Sequence, residues 1–260
     1  MRRLHILVMI VLVCMVASSS FAQVGVIRVM SYNMLNYSTN TGPARNPDFA
    51  IVVNEVNPDI ILSQEMLGSS AADLFVNGVL EAGSWDHSPT TNGTNEEFIF
   101  YRTDRFELLS TTSISTALRD IELFELQSLD LPGQPTIMMS SAHLKASQGY
   151  EAQRLAEVQQ FISYMNSNNL HDTDLLFTGD LNLYTSSEPA YQELLGAGGF
   201  EDPIATPGNW DNSVSYAAVH TQSPRTTQFG GGANGGMDDR FDFILAQPQF
   251  FDGLGWDIIG

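Results

Sequence analysis

The chain has 260 residues, of which 43% are hydrophobic, enough for one large domain with a sizeable core. It is strongly acidic, with 30 Asp and Glu residues against 11 Lys and Arg residues and a formal net charge of −19 at pH 7. Most nucleic-acid binders neutralise phosphates with Lys and Arg, so this composition disfavours tight DNA binding through surface charge. Any phosphate-bearing ligand must then be held by a metal ion and by local donors.

The N-terminus predicts a secretory signal peptide over residues 1–22. A basic start precedes an apolar run from Leu4 to Ala17, and small residues lead up to a cleavage site after Ala22. The apolar run is too short to span a bilayer comfortably. Cys14, the single cysteine, lies inside this segment, so the remaining domain would have no thiol. We therefore expect a secreted or periplasmic protein whose domain covers residues 23–260.

The first part of that domain predicts alternating strands and helices. Residues 25–31 place apolar side chains on two faces, as in a buried strand. A helix is expected over 46–56, after a cap and a proline at the first helical position. A second buried strand follows at 59–64. Ser70 and Asp73 then match a capping box that starts another helix.

The second part begins with strand-like runs that no helix separates, which predicts antiparallel pairing. These runs lie at 98–102, 119–127 and 136–143, and they precede an amphipathic helix over 152–165, a strand at 174–179, a short helix at 189–195 and a last strand at 241–245. A loop rich in Gly, Asn, Pro and Ser begins at Gly196, with a glycine cluster over 230–236. The pattern predicts one domain of mixed sheets flanked by helices.

Polar residues follow several of these strands. Asn33 follows the first strand, Glu65 the second, His143 the long middle strand, and Asp180 with Asn182 the next. Side chains at strand ends can converge on one rim of a sheet. Metal-assisted phosphoester hydrolysis needs carboxylate and amide oxygens for a hard cation, a group that orients water, and donors for the phosphate. The sequence therefore predicts such a site.

Five motifs in order make the chain resemble the endonuclease/exonuclease/phosphatase (DNase I-like) family. They are Ser31-Tyr32-Asn33-Met34-Leu35, Gln64-Glu65, Ala142-His143-Leu144, Gly179-Asp180-Leu181-Asn182 and Arg240-Phe241-Asp242-Phe243-Ile244. The resemblance implies an α/β fold, a four-layered sandwich of two mixed, largely antiparallel sheets flanked by helices. It also implies a metal-dependent phosphoric ester hydrolase using Mg²⁺, with Mn²⁺ or Ca²⁺ as alternatives.

The resemblance implies a role for each strand-end residue. Glu65 is expected to be the principal metal ligand with Asn33 beside the metal. Asp180 would orient or deprotonate the attacking water, while His143 and Asn182 would hold the phosphate. Asp242 belongs to the catalytic set as the support of a histidine near the C-terminus. Without the resemblance, Glu65 would be interpreted as a surface acid, and Asn33, Asp180 and Asn182 as turn residues.

Four further residues are candidates for contact with substrate. Tyr101 and Asn95 occupy positions that often line the phosphate pocket in the family. His220 and Arg225, together with the glycine cluster, predict specificity loops. Lys145 remains an unassigned candidate. An alternative for the acidic end of this region is a calcium-like loop formed by Asp238, Asp239 and Asp242.

One feature of the family pattern is missing. Family members continue past the strand of Asp242 to a terminal Asp-His pair, and no histidine follows Asp242 here. We therefore expect a domain incomplete at its C-terminus that lacks its last strand, with impaired activity of the chain as given.

Three functions remain open from the sequence. The first is a phosphodiesterase or endonuclease, the second is a sphingomyelinase-like phospholipid hydrolase, and the third is a non-catalytic secreted binding module on the same fold. The expected partner is a phosphate-ester substrate, either nucleic acid or a phospholipid headgroup. No stable protein partner is evident, and a monomer is predicted.

Overall fold

Two β-sheets face each other, and helices cover the outer face of each sheet. The structure, a computed structural model, describes residues 25–91 and 96–259. The predicted signal peptide and Asn95 lie outside the described residues, so both stay predictions. No helix within the described ranges is long and apolar enough to span a membrane.

The first sheet has four strands in the order β1, β2, β4, β3. They are β1 (Val29–Tyr37), β2 (Ile60–Met66), β3 (Trp85–His87) and β4 (Phe98–Arg102). β1 and β2 run parallel, and the other pairs are antiparallel. Helix α1 (Asn46–Val56) crosses between β1 and β2, and α2 (Ser69–Gly78) follows β2. Their apolar faces pack on the outside of this sheet.

The second sheet has five strands in chain order. They are β5 (Phe106–Ile114), β6 (Ile121–Ser128), β7 (Thr136–His143), β8 (Leu175–Asp180) and β9 (Asp242–Ala246). β7 and β8 are the parallel pair. The helix α3 (Glu151–Asn168) forms the crossover between them, and α4 (Pro189–Leu195) follows β8. Both helices cover the outer face of this sheet.

Side chains from the two inner faces form a shared core, which includes Leu62, Ile99, Phe124 and Met139. The layers are thus helix, sheet, sheet, helix. This confirms the predicted α/β sandwich of two mixed sheets.

Several local predictions need correction. β1 starts at Val29, later than expected, and continues to Tyr37. β3 and β5 were not predicted, because β3 has three residues and β5 exposes much of one face. The capping box at Ser70 and Asp73 is wrong: Gly68 is the N-cap of α2, with a φ of 89°, and no side chain caps the helix.

Candidate active site

The C-terminal ends of the two parallel strand pairs meet at one edge of the sandwich. Asn33 is the register partner of Gln64 in the first sheet, and His143 is the partner of Asp180 in the second. Beneath this edge, Gln64 Nε2 donates to Ser141 Oγ (2.9 Å) across the sheets. The parallel pairing explains why polar residues after four strands emerge on the same side.

Asn33 lies at the centre of the group. Its Nδ2 donates to Glu65 Oε1 and to Asp180 Oδ2, both at 2.9 Å. The amide cannot turn over freely, because its Oδ1 accepts a hydrogen bond from the Leu35 backbone N–H at 2.8 Å. The structure therefore brings together Asn33, Glu65 and Asp180, whose catalytic roles remain predictions.

Glu65 has an unusual backbone conformation for a residue with a side chain. Its φ is 57°, in the left-handed region, which non-glycine residues occupy at an energetic cost and which clusters at functional sites. The second carboxylate oxygen, Oε2, accepts from the Asn36 backbone N–H at 3.0 Å. Both oxygens of the carboxylate are therefore held in place.

His143 faces the two carboxylates. Its Nε2 lies 3.9 Å from Glu65 Oε1 and 3.9 Å from Asp180 Oδ2. Burial, with a smaller contribution from Arg119, lowers the pKa of His143 to about 4. The imidazole is therefore neutral at neutral pH and can donate one N–H.

Asp180 and Asn182 form a tight turn after β8. Burial raises the pKa of Asp180 to about 6, against the hydrogen bonds from Asn33 and the Asn182 backbone N–H. That N–H lies 3.1 Å from Asp180 Oδ1, and Asn182 itself has a φ of 50°. Its side-chain Nδ2 donates to Leu144 O at 3.1 Å. Asn182 thus ties the loop after His143 to β8, and its predicted contact with phosphate remains a prediction.

Asp242 completes the row of acids. It pairs with Asp180 across β8 and β9. Burial and the negative charge of Asp180 raise the pKa of Asp242 well above its ordinary value. Thr221 stabilises the start of β9, because its Oγ1 accepts from the backbone N–H groups of Phe241 (3.1 Å) and Asp242 (2.9 Å).

The alternative of a calcium-like loop at Asp238, Asp239 and Asp242 is not supported. The carboxyl of Asp239 interacts with Asp211 and Asp238, which together with burial raise its pKa to about 6. Asp242 instead faces Asp180. Asp239, just before β9, and Asp242, the first residue of β9, therefore face different groups.

Two of the predicted substrate contacts have other surroundings in the structure. Tyr101 pairs with Ile60 at the start of β2, the end of the sheet opposite Glu65, and its ring lies in the core between the sheets. His220 is 8% exposed, and its two ring nitrogens contact the carbonyl oxygens of Trp210 (3.1 Å) and Met237 (3.2 Å). His220 thus anchors its loop, and its contact with substrate stays a prediction.

Arg225 lies on the exposed loop that leads into the glycine cluster. Its guanidinium stacks over the ring of Phe229 at 4.5 Å. The same loop reaches the candidate site, because Asn36 Nδ2 donates to Gly230 O at 3.3 Å. The position is compatible with substrate contact, and that role of Arg225 remains a prediction.

Sequence reasoning missed Arg119, which lies just before β6. Its charge is among the causes that lower the pKa values of both His143 and Asp180, so it lies within electrostatic reach of the site. Its Nε contacts Glu96 Oε2 at 3.4 Å, while its Nη1 is buried without a hydrogen-bond partner among the described residues. The only sequence signal for Arg119 is the scarcity of basic residues in so acidic a chain.

A buried ion pair supports the loops that carry His143 and Asp180. Arg154 is fully buried, and its Nε donates to Glu188 Oε2 at 2.9 Å. Its Nη1 donates to the carbonyl oxygens of Lys145 and Ser147, both at 2.9 Å. Glu188 Oε1 accepts from the Tyr184 backbone N–H at 2.8 Å. One ion pair therefore joins the loops after β7 and β8.

The side chain of Lys145, the unassigned candidate, directs its Nζ to Ala146 O and to the ring of Tyr150.

The donor set fits an open divalent-metal site. Glu65 and Asp180 place two carboxylates on either side of one amide, and no lysine or arginine forms an ion pair with either of them among the described residues. Within residues 25–91 and 96–259, no three His, Cys, Asp or Glu side chains are spaced to enclose a metal. Mg²⁺ is ordinarily bound by one or two carboxylates and keeps several waters. The residues therefore suit a partly hydrated cation.

Comparison with solved structures gives the same fold. An endonuclease/exonuclease/phosphatase family protein from Bacteroides thetaiotaomicron matches with a TM-score of 0.61 and 17% identity, over 85% of this chain and 81% of that one. The human Nocturnin catalytic domain with bound sulfate matches with a TM-score of 0.59 and 18% identity, over 85% and 82%. A mannosyl-6-phosphatase from Bacteroides thetaiotaomicron matches with a TM-score of 0.60 and 16% identity, over 86% of each chain.

These identities are low, so the likeness establishes the fold, which is the DNase I-like sandwich that the five motifs predicted. Neither a protein-family model nor a curated protein sequence matches the chain.

Proposed function

We propose that the chain is a secreted, divalent-metal-dependent phosphoesterase of the phosphodiesterase or endonuclease type. The observation that carries this proposal is the convergence of Glu65, Asn33, Asp180 and His143 from four strand ends of two sheets. A surface acid or a turn-forming asparagine needs no such meeting. Solved structures with the same fold carry hydrolase names, which supports the same class of reaction.

Each of the four residues has its own role in the proposed reaction. Glu65 would hold the cation, with Mg²⁺ favoured and Mn²⁺ or Ca²⁺ as alternatives, while Asn33 keeps the carboxylates of Glu65 and Asp180 in place. The bound cation would supply Lewis-acid polarisation of a phosphoryl oxygen. Asp180, with a pKa of about 6, is mostly ionised at pH 7 and can accept a proton from water. Neutral His143, with its proton on Nε2, can donate to a phosphate oxygen as negative charge grows there.

The proposal ranks two classes of phosphate ester as substrate. A phosphodiester such as nucleic acid is the leading class, with a phospholipid headgroup as a variant of the same ester. A small phosphate monoester is the second candidate, because the net charge of −19 repels polyanions at long range. The match to a mannosyl-6-phosphatase favours the same candidate.

The function is tested with purified protein against bis(p-nitrophenyl) phosphate and p-nitrophenyl phosphate, each with Mg²⁺, Mn²⁺ or Ca²⁺. Activity is expected to disappear with a chelator and to return with metal, and Glu65→Gln is expected to lower it by at least about 100-fold. Glu107→Gln, an exposed acid on β5, is the matched control. Activity that survives both the chelator and Glu65→Gln would overturn the metal mechanism.

Export is a separate part of the proposal and has its own test. The full-length chain is expressed in a bacterial host, and the N-terminus of the protein found outside the cytoplasm is sequenced. We expect it to begin at Gln23. Retention of the intact N-terminus in the cytoplasmic fraction would contradict secretion.

A further inference from the structure

The end of β1 contains two consecutive left-handed residues. Leu35 and Asn36 have φ values of 46° and 49°, and the pairing of β1 with β2 shifts register between Asn33 and Tyr37. Neither residue is glycine, so the conformation is unfavourable for the isolated chain. Surrounding contacts must therefore hold this bulge, which we call the Leu35–Asn36 bulge.

Arg45 holds the bulge from one side. Its Nη1 donates to Leu35 O at 2.7 Å, and its Nη2 donates to Met34 O. The guanidinium also stacks over the ring of Phe49, with its central carbon 4.9 Å from the ring centre. The planar guanidinium thus directs two N–H donors at backbone carbonyls, so Arg45 supports the backbone of the bulge.

The opposite side of the same peptide groups contacts the candidate site. The Leu35 N–H donates to Asn33 Oδ1 (2.8 Å), and the Asn36 N–H donates to Glu65 Oε2 (3.0 Å). Met34 O and the Leu35 N–H belong to one planar peptide group, as do Leu35 O and the Asn36 N–H. Because each group is rigid, the carbonyl contacts of Arg45 set the direction of both N–H groups.

We propose that Arg45 is a positioning residue for the metal-binding carboxylate, acting through these two peptide planes on Glu65 and Asn33. The proposal rests on the proposed function, in which Glu65 binds the cation. The contacts of Arg45 are with backbone carbonyls and aromatic rings, so it would act on the carboxylate only through the backbone. It keeps Glu65 Oε2 bonded to the backbone and the amide of Asn33 facing both carboxylates.

The test measures Mn²⁺ binding to the metal-free protein without substrate, by the electron paramagnetic resonance of free Mn²⁺. Arg45→Met is expected to raise the Kd for Mn²⁺ by about 10- to 100-fold, as for other residues that orient a metal ligand. Arg45→Lys keeps a positive charge over Phe49 but loses the second N–H donor to the backbone. We therefore expect its Kd for Mn²⁺ to lie between those of the wild type and of Arg45→Met.

Arg102→Met is the matched control. Arg102 also stacks over an aromatic ring, that of Trp85 at 5.0 Å, and donates to Pro58 O, but at the far end of the same sheet. We expect it to lower the melting temperature without changing the Kd for Mn²⁺. If Arg45→Met does not fold, Arg45→Lys and Arg102→Met decide the question.

The outcomes separate this proposal from the proposed function. If Glu65→Gln weakens Mn²⁺ binding while the Arg45 variants bind as tightly as wild type, Arg45 has no positioning role. Equal losses of Mn²⁺ affinity in the Arg45 and Arg102 variants would show that the effect comes from lower protein stability. That result would overturn the proposal as well. If Glu65→Gln binds Mn²⁺ like wild type, the proposed metal role of Glu65 fails first.

Discussion

Asp180 and Asp242 are direct register partners across the antiparallel strands β8 and β9. Burial is the largest cause that raises the pKa of each carboxyl, and the charge of Asp180 raises the pKa of Asp242 further. Two partly buried carboxylates at paired positions cannot both ionise cheaply without a cation. In the metal-free protein, the charge of Asp180 therefore favours the protonated form of Asp242.

This relationship predicts a pH-dependent effect of Asp242→Asn on stability. The folded protein holds the Asp242 proton more tightly than the unfolded chain, whose carboxyl has the ordinary pKa of 3.8. The stabilising contribution is complete below that pKa and is lost as the pH rises towards the raised pKa of the folded state. Asp242→Asn avoids this loss, so its melting temperature should exceed that of wild type by an amount that grows from pH 4 to pH 8.

The measurement is thermal unfolding in the presence of a chelator at several pH values. Asp104→Asn, which removes an exposed carboxyl in the turn between β4 and β5, is the control. A stability difference that shrinks as the pH rises would show that Asp242 is ionised and held by a partner.

Arg119 is predicted to bind phosphate. Its buried Nη1 has no hydrogen-bond partner among the described residues, and its charge reaches His143 and Asp180. We expect Arg119→Met to raise the inhibition constant of inorganic phosphate by about 10-fold, the effect of losing one charged hydrogen bond. Arg102→Met at the far end of the first sheet should leave this constant unchanged.

A second measurement on the same variant does not require activity. Because Arg119 contributes to lowering the pKa of His143, Arg119→Met should move that pKa upward, although burial remains the main cause. Titration of the imidazole by NMR checks the direction. An unchanged titration would place Arg119 too far from the site to act on phosphate.

Gly179 is predicted to be irreplaceable for steric reasons. Its φ is 137°, and an added Cβ would lie 1.9 Å from the Ala142 carbonyl oxygen on β7. Gly179→Ala should therefore destabilise the fold by more than about 3 kcal/mol, from backbone strain and overlap together. Gly149→Ala is the control, because Gly149 also has a positive φ of 86° but its Cβ would meet nothing within 4 Å. Equal losses of unfolding free energy in urea would contradict the steric explanation.

The ion pair of Arg154 and Glu188 is predicted to show strong coupling. Removing one buried partner leaves an uncompensated charge, so Arg154→Met should cost about 3–5 kcal/mol of unfolding free energy. The double variant Arg154→Met with Glu188→Gln should recover part of that loss, since the amide keeps an oxygen for the Tyr184 N–H without a buried charge. A double-mutant cycle in urea measures the coupling, and strictly additive losses would refute it.

Local order was predictable from the sequence because its signals are local. Helix α1 ends at Val56 and the strands β4 and β7 have the expected bounds, since apolar periodicity and punctuation by Asn and Pro act within a few residues. The order of the polar residues that follow the strands could also be identified from the sequence. It predicted that Asn33, Glu65, His143 and Asp180 share one edge, and the structure confirms that they meet.

The sequence by itself thus determined the helices, most of the strands and the polar residues that follow them. Only the tertiary structure decided which other side chains reach the site, because sheet register and loop packing depend on contacts between distant segments. Register places Tyr101 beside Ile60, far from Glu65. Loop packing encloses His220 between two carbonyls, and it is the same kind of long-range contact that brings Arg45 to the Leu35–Asn36 bulge and Arg119 to His143.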